Sequence, residues 1–176
     1  MKREQERLFP KTYPRYWPNA RIVDYYSGNI QNTIDKEHSN QSANGNALRL
    51  FTLRVSWKAS TKIIQNDDVA RYFIKTANVM KKKFVCFACG VNNPRVQRKA
   101  HFHAVIGVVV APSSKISLNI VKRALTKASK GEVLNVGVKV YNPHQVPFSD
   151  LDYIVGKHDC LTFHSDVFTP RKSLKV

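Results

Sequence analysis

The stretch KFVCFACGVNNPRVQRKAHFHAVIGVVV, residues 83–110, decides the fold. Its two ends, 83–91 and 100–110, are short apolar runs rich in Val, Phe and Ile, which is typical of buried strands. The polar, basic loop NNPRVQRK separates them. The stretch therefore predicts a central pair of strands joined as a hairpin.

Working outward, the flanking segments complete an alternation of strands and helices. LRLFTLRVSW (48–57) alternates as a half-buried strand does, with Phe51 and Leu53 on one side and Thr52 and Arg54 on the other. The order β-α-β-β-α-β-α predicts an α+β fold, with a central antiparallel sheet, helices packed mainly on one face and the functional site on the other. The remaining predicted elements are a helix from Asp67 to about Met80, a helix with Ser117 as its N-cap and Gly131 as its stop, a strand over 133–142, a helix from Ser149 to about His158, and a last strand in LTFHSDVF.

The chain divides into three parts by composition. Residues 48–170 form the predicted folded domain, and 171–176 form a basic tail. Residues 1–47 read as a basic, aromatic arm, whose prolines deny regular helix, followed by a flexible polar linker without apolar periodicity. Two roles for the arm stay open: a tail that grips a nucleic-acid strand, and a cover over the surface of the domain.

The charge balance points to a polyanionic partner. Lys and Arg number 29 against 12 for Asp and Glu, which gives a net charge of +17, and no acidic residue occurs from Val69 to Gly131. Such a surface attracts phosphates and releases their counterions, so nucleic acid is the leading partner, although an acidic membrane would also be attracted.

Several function classes are disfavoured. No apolar run approaches the roughly 18 residues that a membrane span needs, and the N-terminus lacks the apolar centre of a signal peptide. Three cysteines cannot all pair, so we expect an intracellular, reducing location and no membrane.

Two histidines on the second central strand form the first chemical motif. His101 and His103 alternate with apolar residues, so both imidazoles project from the same face of the sheet. Neutral imidazoles at adjacent positions make half of a divalent-metal site. The alternative is that both simply donate hydrogen bonds to solvent or to phosphates.

A tyrosine on a later helix forms the second motif. In FSDLDYIVGKHD, Ser149 and Asp152 have the spacing of a capping box, and Tyr153 and Lys157 are i, i+4 neighbours. A tyrosine hydroxyl is a poor nucleophile at neutral pH, and a nearby ammonium favours its reactive phenolate form. The alternative is a half-buried structural tyrosine beside a solvated lysine.

The motifs LRLFTLRVSW, HFHAVIG and YIVGKHD, in this order, resemble those of the HUH endonucleases that initiate rolling-circle replication (Rep proteins), over about residues 48–168. The resemblance implies that His101 and His103 ligate Mg or Mn. It also implies that Tyr153 attacks the scissile phosphate of single-stranded or hairpin origin DNA, leaving a 5′-phosphotyrosine, and that Lys157 assists. It further implies a cytoplasmic location in a prokaryotic host or a nuclear one in a eukaryotic host.

The same resemblance sets expectations about partners. The sequence has no G-x-x-x-x-G-K-[ST] loop, so we expect no attached helicase. Unwinding would come from a partner helicase or from the DNA's own supercoiling, and synthesis would need a separate polymerase. With one tyrosine placed for attack, termination would need a second subunit, as in a homo-oligomer, or a second round.

Two departures from the family pattern bear on the site. The tyrosine and lysine are spaced Y-x-x-x-K instead of Y-x-x-K, which still leaves both on one helix face. The family often supplies a Glu or another polar residue as third metal ligand near the end of the strand before the histidines, and that neighbourhood here, CFACGVNN, has no carboxylate. Asn93, Gln97 and Asp150 are the candidate substitutes.

The basic residues expected on the exposed face would hold the DNA backbone, and they do not specify a sequence. These residues are Arg54, Arg95, Arg98, Lys99 and Lys139.

Three other classes of protein compete with the Rep resemblance. A zinc module is disfavoured because Cys86 and Cys89 have opposite strand parity, so we expect them to point to opposite faces as small buried hydrophobes. An H-x-H-x-H nucleotide hydrolase would need a third histidine where Val105 stands. A non-catalytic, basic nucleic-acid-binding domain remains as the alternative function.

Overall fold

The computed structural model describes residues 13–14, 20–58, 64–94, 99–129, 131–143, 149–157, 160–162 and 165–171. Within these residues the chain is an α+β fold with four helices and seven strands, which confirms the predicted class. The helices are α1 (Ala20–Ala43), α2 (Asn66–Met80), α3 (Leu118–Ala128) and α4 (Asp150–Lys157). The strands are β1 (Tyr13–Pro14), β2 (Ala47–Trp57), β3 (Phe84–Asn92), β4 (His101–Val110), β5 (Val133–Val140), β6 (Cys160–Thr162) and β7 (Asp166–Phe168).

The strands form one antiparallel sheet with β4 near its centre. The order is β1-β6-β3-β4-β2-β5, and β7 also pairs with β3. The predicted hairpin is present, since β3 pairs with β4, and β2 pairs with the other edge of β4. The register sets Asn92 opposite His101 and Arg54 opposite His103. Both histidines therefore lie where three neighbouring strands can surround them.

One face of the sheet carries an aromatic core and is named the back face here. Phe102, Ala104 and Ile106 of β4 point to this face, and α2 and α3 cover it. Edge-to-face rings fill the space between the layers, with the Phe73 and Phe102 centroids 5.6 Å apart. Aromatic pairs of this kind stabilise a core by about 0.5–1.5 kcal/mol beyond the area they bury.

The opposite face carries His101, His103 and Val105, and is named the histidine face. Helices α1 and α4 pack on it through Ile30, Ile34 and Ile154. The described helices are therefore divided two and two between the faces, instead of lying mainly on one as the sequence suggested. The tyrosine motif lies on α4, so the helix that carries it is on the histidine face.

The prediction of a flexible linker at the end of residues 1–47 was wrong, because α1 runs from Ala20 to Ala43 through that polar stretch. Among the side chains of α1 that the structure describes, the buried apolar ones are Ile30 and Ile34, one turn apart, and Tyr26 is partly buried against the same core. So short a stripe does not show as periodicity. Hydrogen bonds between side chains four residues apart, such as Gln31 to Asp35 at 2.9 Å, support the polar side. The helix is formed by packing on the sheet rather than by its composition.

The prediction that Cys86 and Cys89 point to opposite faces was also wrong. The β3–β4 register shifts between Cys86 and Ala88, so Phe87 and Ala88 both lie against the histidine-face core. This bulge resets the alternation and brings both cysteines to the back face, fully buried. Their predicted role as small buried hydrophobes is confirmed, and burial raises the pKa of the Cys86 thiol well above its usual range. The sheet separates them from the histidines.

Candidate active site on the histidine face

The two imidazoles lie side by side as the strand alternation predicts. The ring centroids of His101 and His103 are 5.5 Å apart, and their planes are nearly perpendicular at 84°. His101 is buried and His103 is partly exposed. A cation placed between the rings would therefore be open to a substrate on the side of His103.

The His101 ring is held at both nitrogens. Its Nδ1 lies 3.0 Å from the Lys99 carbonyl oxygen, which can only accept, so Nδ1 carries the proton. Nε2 is then left with a lone pair, and it lies 3.2 Å from Nδ2 of Asn92. Orientation of one imidazole nitrogen by a backbone carbonyl is the usual arrangement around a ligating histidine, because it aims the other nitrogen at the metal.

Asn92 is the site residue that the sequence reasoning missed. It is buried at the end of β3, directly opposite His101, whereas the expected substitutes for the third ligand were Asn93, Gln97 and Asp150. The signal was in the strand itself: with Val91 in the back-face core, its neighbour Asn92 must point to the histidine face. Gln97 lies outside the described residues.

The tyrosine is positioned by a capped helix. Ser149 lies just before α4, where its Oγ accepts the backbone N–H of Asp152 at 3.1 Å, as the capping pattern predicts. The predicted buried stripe of Leu151, Ile154 and Val155 packs on the sheet. Packing of that stripe leaves Tyr153 beside the sheet, 42% exposed.

The Tyr153 ring meets the imidazole pair. Its centroid lies 5.2 Å from that of His103, with the planes at 79°. Edge-to-face contact at this distance is a favourable packing geometry and keeps the phenol next to the two imidazoles. The structure therefore brings together the three side chains that the sequence placed on one strand and one later helix.

Two other tyrosines are engaged in the core. The hydroxyl of Tyr72 donates to the Leu125 carbonyl at 2.6 Å, and that of Tyr141 donates to Oε1 of Gln31 at 2.6 Å. Burial raises the pKa of both hydroxyls, and for Tyr141 the negative charge of Asp150 adds to the effect. Neither is suited to nucleophilic attack, in contrast to the half-exposed Tyr153.

A groove of about 530 Å³ opens beside His103 and Tyr153. It lies between α4 and the strands β2 and β5, and much of its wall is apolar. A volume of this size is in the range of sites that take small organic groups. The groove is lined by Thr52, Leu53, Arg54, His103, Gly137, Val138, Lys139, Ser149, Asp150, Tyr153 and Ile154.

Asp150, the first residue of α4, ties the helix to the sheet. Its buried carboxylate accepts hydrogen bonds from Thr52 Oγ1 at 2.8 Å, Lys139 Nζ at 2.6 Å and the Asn142 backbone N–H at 3.0 Å. Such charge-assisted hydrogen bonds are among the stronger polar contacts in a protein. The carboxylate proposed as a third ligand is thus engaged with these three donors, and the ammonium of Lys139, predicted to hold DNA, is paired with it.

The other predicted contacts with DNA divide by position. Arg54 is exposed, on the strand position opposite His103, and Lys99 is exposed just before β4. Arg95 and Arg98 lie outside the described residues. Lys157 is the last residue of α4, one turn after Tyr153, and its side chain is likewise outside them.

The residues present fit a divalent cation of modest affinity. His101 Nε2 and the His103 imidazole supply two nitrogens, and turning the Asn92 amide end for end would present its oxygen to the same space. All three donors are neutral, whereas hard cations prefer carboxylates. Among the described residues no three His, Cys, Asp or Glu side chains gather around one point.

None of the described helices is both long and apolar enough to cross a bilayer. No protein-family model, curated protein or solved structure matches the chain.

Proposed function

We propose that this protein is a metal-dependent endonuclease of the HUH replication-initiator kind, which nicks and rejoins single-stranded DNA and so initiates rolling-circle replication. The observation that carries the proposal is the contact of the Tyr153 ring with His103, 5.2 Å between centroids, beside the oriented imidazole of His101. A nucleophile next to a pair of metal-type ligands is the minimal apparatus for phosphoryl transfer.

In the proposed reaction, the Tyr153 oxygen forms a bond to the scissile phosphorus while the bond from phosphorus to the 3′ oxygen breaks. The Tyr153 hydroxyl loses its proton to water as it attacks, and the departing 3′ oxygen takes a proton from water to become a hydroxyl. A Mg²⁺ or Mn²⁺ ion held by the imidazoles would neutralise charge at the phosphate. Attack by a 3′-hydroxyl on the phosphotyrosine reverses the reaction and joins strands.

Each neighbouring residue has a role in holding the reacting groups. His101, His103 and Asn92 would hold the cation, and the Lys99 carbonyl fixes the ring of His101. Asp150 fixes the start of the helix that carries Tyr153, one turn away. Arg54, exposed opposite His103, would contact the phosphates of the strand. Lys157, one helical turn after Tyr153, would assist at the phosphate.

The proposed substrate is single-stranded or hairpin origin DNA, which the resemblance to Rep proteins implies. A separate helicase would unwind the duplex, and a separate polymerase would extend the 3′-hydroxyl that cleavage releases. Termination would require a second subunit or a second round of cleavage, since Tyr153 is the tyrosine placed for attack. The proposed location is intracellular, nuclear or cytoplasmic according to the host.

The test is the covalent adduct. A pool of hairpins with randomised loops, labelled at the 3′ end, is incubated with the protein and Mn²⁺, and a denaturation-resistant labelled protein band is expected. Tyr153→Phe should abolish this band and leave binding to the same pool nearly unchanged. Tyr141→Phe is the matched control, since it removes a buried hydroxyl from the same face and should keep the band.

A non-catalytic, basic nucleic-acid-binding domain is the second candidate. The neutral ligand set around His101 favours it, because two imidazoles and an amide hold a hard cation weakly. If the wild-type protein binds the pool and never forms the adduct with Mn²⁺ or Mg²⁺, the endonuclease proposal fails and this candidate replaces it.

A further inference from the structure

The acid-free part of the chain carries several exposed cations away from the histidine face. Residues 69–131 contain no Asp or Glu, and they include most of α2, all of α3 and the central hairpin. The exposed cations lie on the outer side of α3, in the segment that follows α2 and in the segment that precedes α3. This basic back surface consists of Lys81, Lys82, Lys115, Lys122, Arg123 and Lys127.

The fold brings these cations to one layer. Helices α2 and α3 are neighbours and antiparallel, because Tyr72 near the start of α2 bonds to Leu125 near the end of α3. The end of α2 therefore lies near the start of α3. The Lys83 carbonyl accepts the N–H of Val109, so the lysine run also adjoins the end of β4 and the turn that leads to Lys115.

The cations are kept at a local cost. Lys81 ends α2 with φ 55° and ψ 33°, the left-handed conformation that favours glycine. Arg123 and Lys127 are like charges four residues apart on one helix, a spacing at which they repel. The repulsion between Arg123 and Lys127 is a cost of the charge itself, whereas the backbone at Lys81 disfavours any side chain. The paired charge on α3 is therefore the part of this surface that points to a partner outside the folded domain.

The chemistry of this layer differs from that of a single-strand site. Single-strand binding relies on exposed aromatic rings on which bases stack. Among the described residues the exposed rings are those of Tyr25 and Tyr153, on helices of the histidine face, whereas the rings of the back face are buried in the core. Cations along α3 and in the segments next to the helix ends, without exposed rings among them, fit the phosphates of a duplex backbone.

We propose that the basic back surface binds the phosphate backbone of a nucleic-acid duplex, at a site separate from the histidine face. A duplex carries one negative charge per about 1.7 Å of its axis, so it can engage several of these cations at once. The inference does not depend on the proposed nuclease activity. Together the two would let the protein hold the stem of a hairpin on one side of the sheet and its loop on the other.

The experiment measures affinity for a blunt 20-base-pair DNA duplex at several salt concentrations by fluorescence anisotropy. Neutralising three cations of α3 together (Lys122→Gln, Arg123→Gln, Lys127→Gln) should weaken duplex binding at least tenfold. The slope of log K against log salt should become shallower by about 2.7, because each lost phosphate contact removes about 0.9. Lys36→Gln, which neutralises an exposed lysine of α1, is the control and should leave the slope unchanged.

A single variant separates charge from folding. Lys81→Gly removes one cation and supplies the residue that the left-handed position favours, so the thermal midpoint should stay or rise while duplex affinity falls severalfold. A variant that merely damaged the fold would lower both quantities.

Three results would overturn the proposal: unchanged duplex affinity in the triple variant, an equal loss of affinity for a short unpaired strand, or phosphatidylglycerol vesicles that bind the basic back surface in preference to the duplex. Adduct formation on a short unpaired strand reports on the nuclease proposal alone, so failure of one is distinguishable from failure of the other.

Discussion

The two faces of the sheet bury different chemistry. On the back face the buried side chains are mainly apolar and aromatic. The ring centroids of Phe73, Phe84 and Phe168 lie within 5.5 Å of one another. The histidine face has a smaller apolar core and more buried polar groups. The part of the chain that the structure describes has eight buried polar residues. Six lie on this side of the sheet, namely Ser27, Gln41, Thr52, Asn92, His101 and Asp150, and two lie on the other, namely Thr76 and Ser129.

This difference separates the residues that stabilise the fold from those that form the candidate site. Burying a polar group without a suitable partner costs free energy, so a fold selected only for stability would place apolar residues there. The back face has that composition and supplies a rigid platform. The histidine face retains an imidazole, an amide and a carboxylate beside an exposed tyrosine, an arrangement expected where a site binds or reacts.

The largest expected effect is the loss of activity when the histidine face alone is altered. His103→Ala removes the imidazole that touches Tyr153 and half of the imidazole pair, so adduct formation should fall at least about 100-fold. The measurement is the initial rate of appearance of the labelled band at fixed Mn²⁺.

The control for this prediction is Cys89, which lies on the neighbouring strand β3 with its side chain on the back face. Cys89→Ala shortens a buried side chain beside β4 and should leave the rate within about twofold, with a loss of stability of about 1 kcal/mol. If the rate survives His103→Ala, or if the cysteine variant loses it equally, the assignment of chemistry to the histidine face is wrong.

An intermediate effect is expected at the junction of α4 with the sheet. Asp150→Ala leaves the hydroxyl of Thr52, the ammonium of Lys139 and the N–H of Asn142 without their shared acceptor. Because Lys139 is half exposed and can be rehydrated, we expect the free energy of unfolding to fall by about 2–3 kcal/mol in urea denaturation.

Double substitution sharpens this prediction. Lys139→Met should cost about 1 kcal/mol by itself, and the two changes together should cost less than their sum, since they remove the same interaction. Adduct formation by Asp150→Ala should also slow, because the start of the helix that carries Tyr153 is released. Strict additivity of the two changes would mean that the ion pair does not anchor α4.

The comparison of faces also explains what could be predicted from sequence. Strand β2 was predictable because its period of two is visible, and β4 was predictable because a short apolar run is typical of a strand buried on both faces. The meeting of Tyr153 with the histidines could be anticipated only through the family resemblance, since no local pattern links residues fifty positions apart.

The failures have physical reasons of their own. Helix α1 was missed because the buried apolar side chains of its described part are Ile30 and Ile34, and two apolar residues give no period. The cysteine faces were wrong because a bulge at Phe87 and Ala88 shifts the alternation by one, which a sequence pattern does not show. Asn92 was overlooked because its face depends on the same bulge: alternation from Val91 places it on the histidine face, whereas unbroken alternation from Cys86 does not.

The smallest expected effect tests Asn92 itself. Asn92→Asp keeps the shape of the side chain and places a carboxylate beside Nε2 of His101, where hard cations prefer charged oxygen. The Mn²⁺ concentration needed for half-maximal adduct formation should fall about tenfold. Direct Mn²⁺ binding without DNA, measured by electron paramagnetic resonance, should tighten by a similar factor.

Asn92→Leu is the matched comparison, because its side chain has the same number of heavy atoms and branches at the same carbon but has no ligand atom. It should raise the half-maximal Mn²⁺ concentration while the back-face core, and with it most of the stability, is retained. Should both variants keep the wild-type metal dependence, Asn92 would serve only to orient His101, and the cation would depend on the imidazoles alone. A change of opposite sign in the two variants is expected if the residue opposite His101 contacts the metal, since the aspartate offers it a charged oxygen and the leucine offers none.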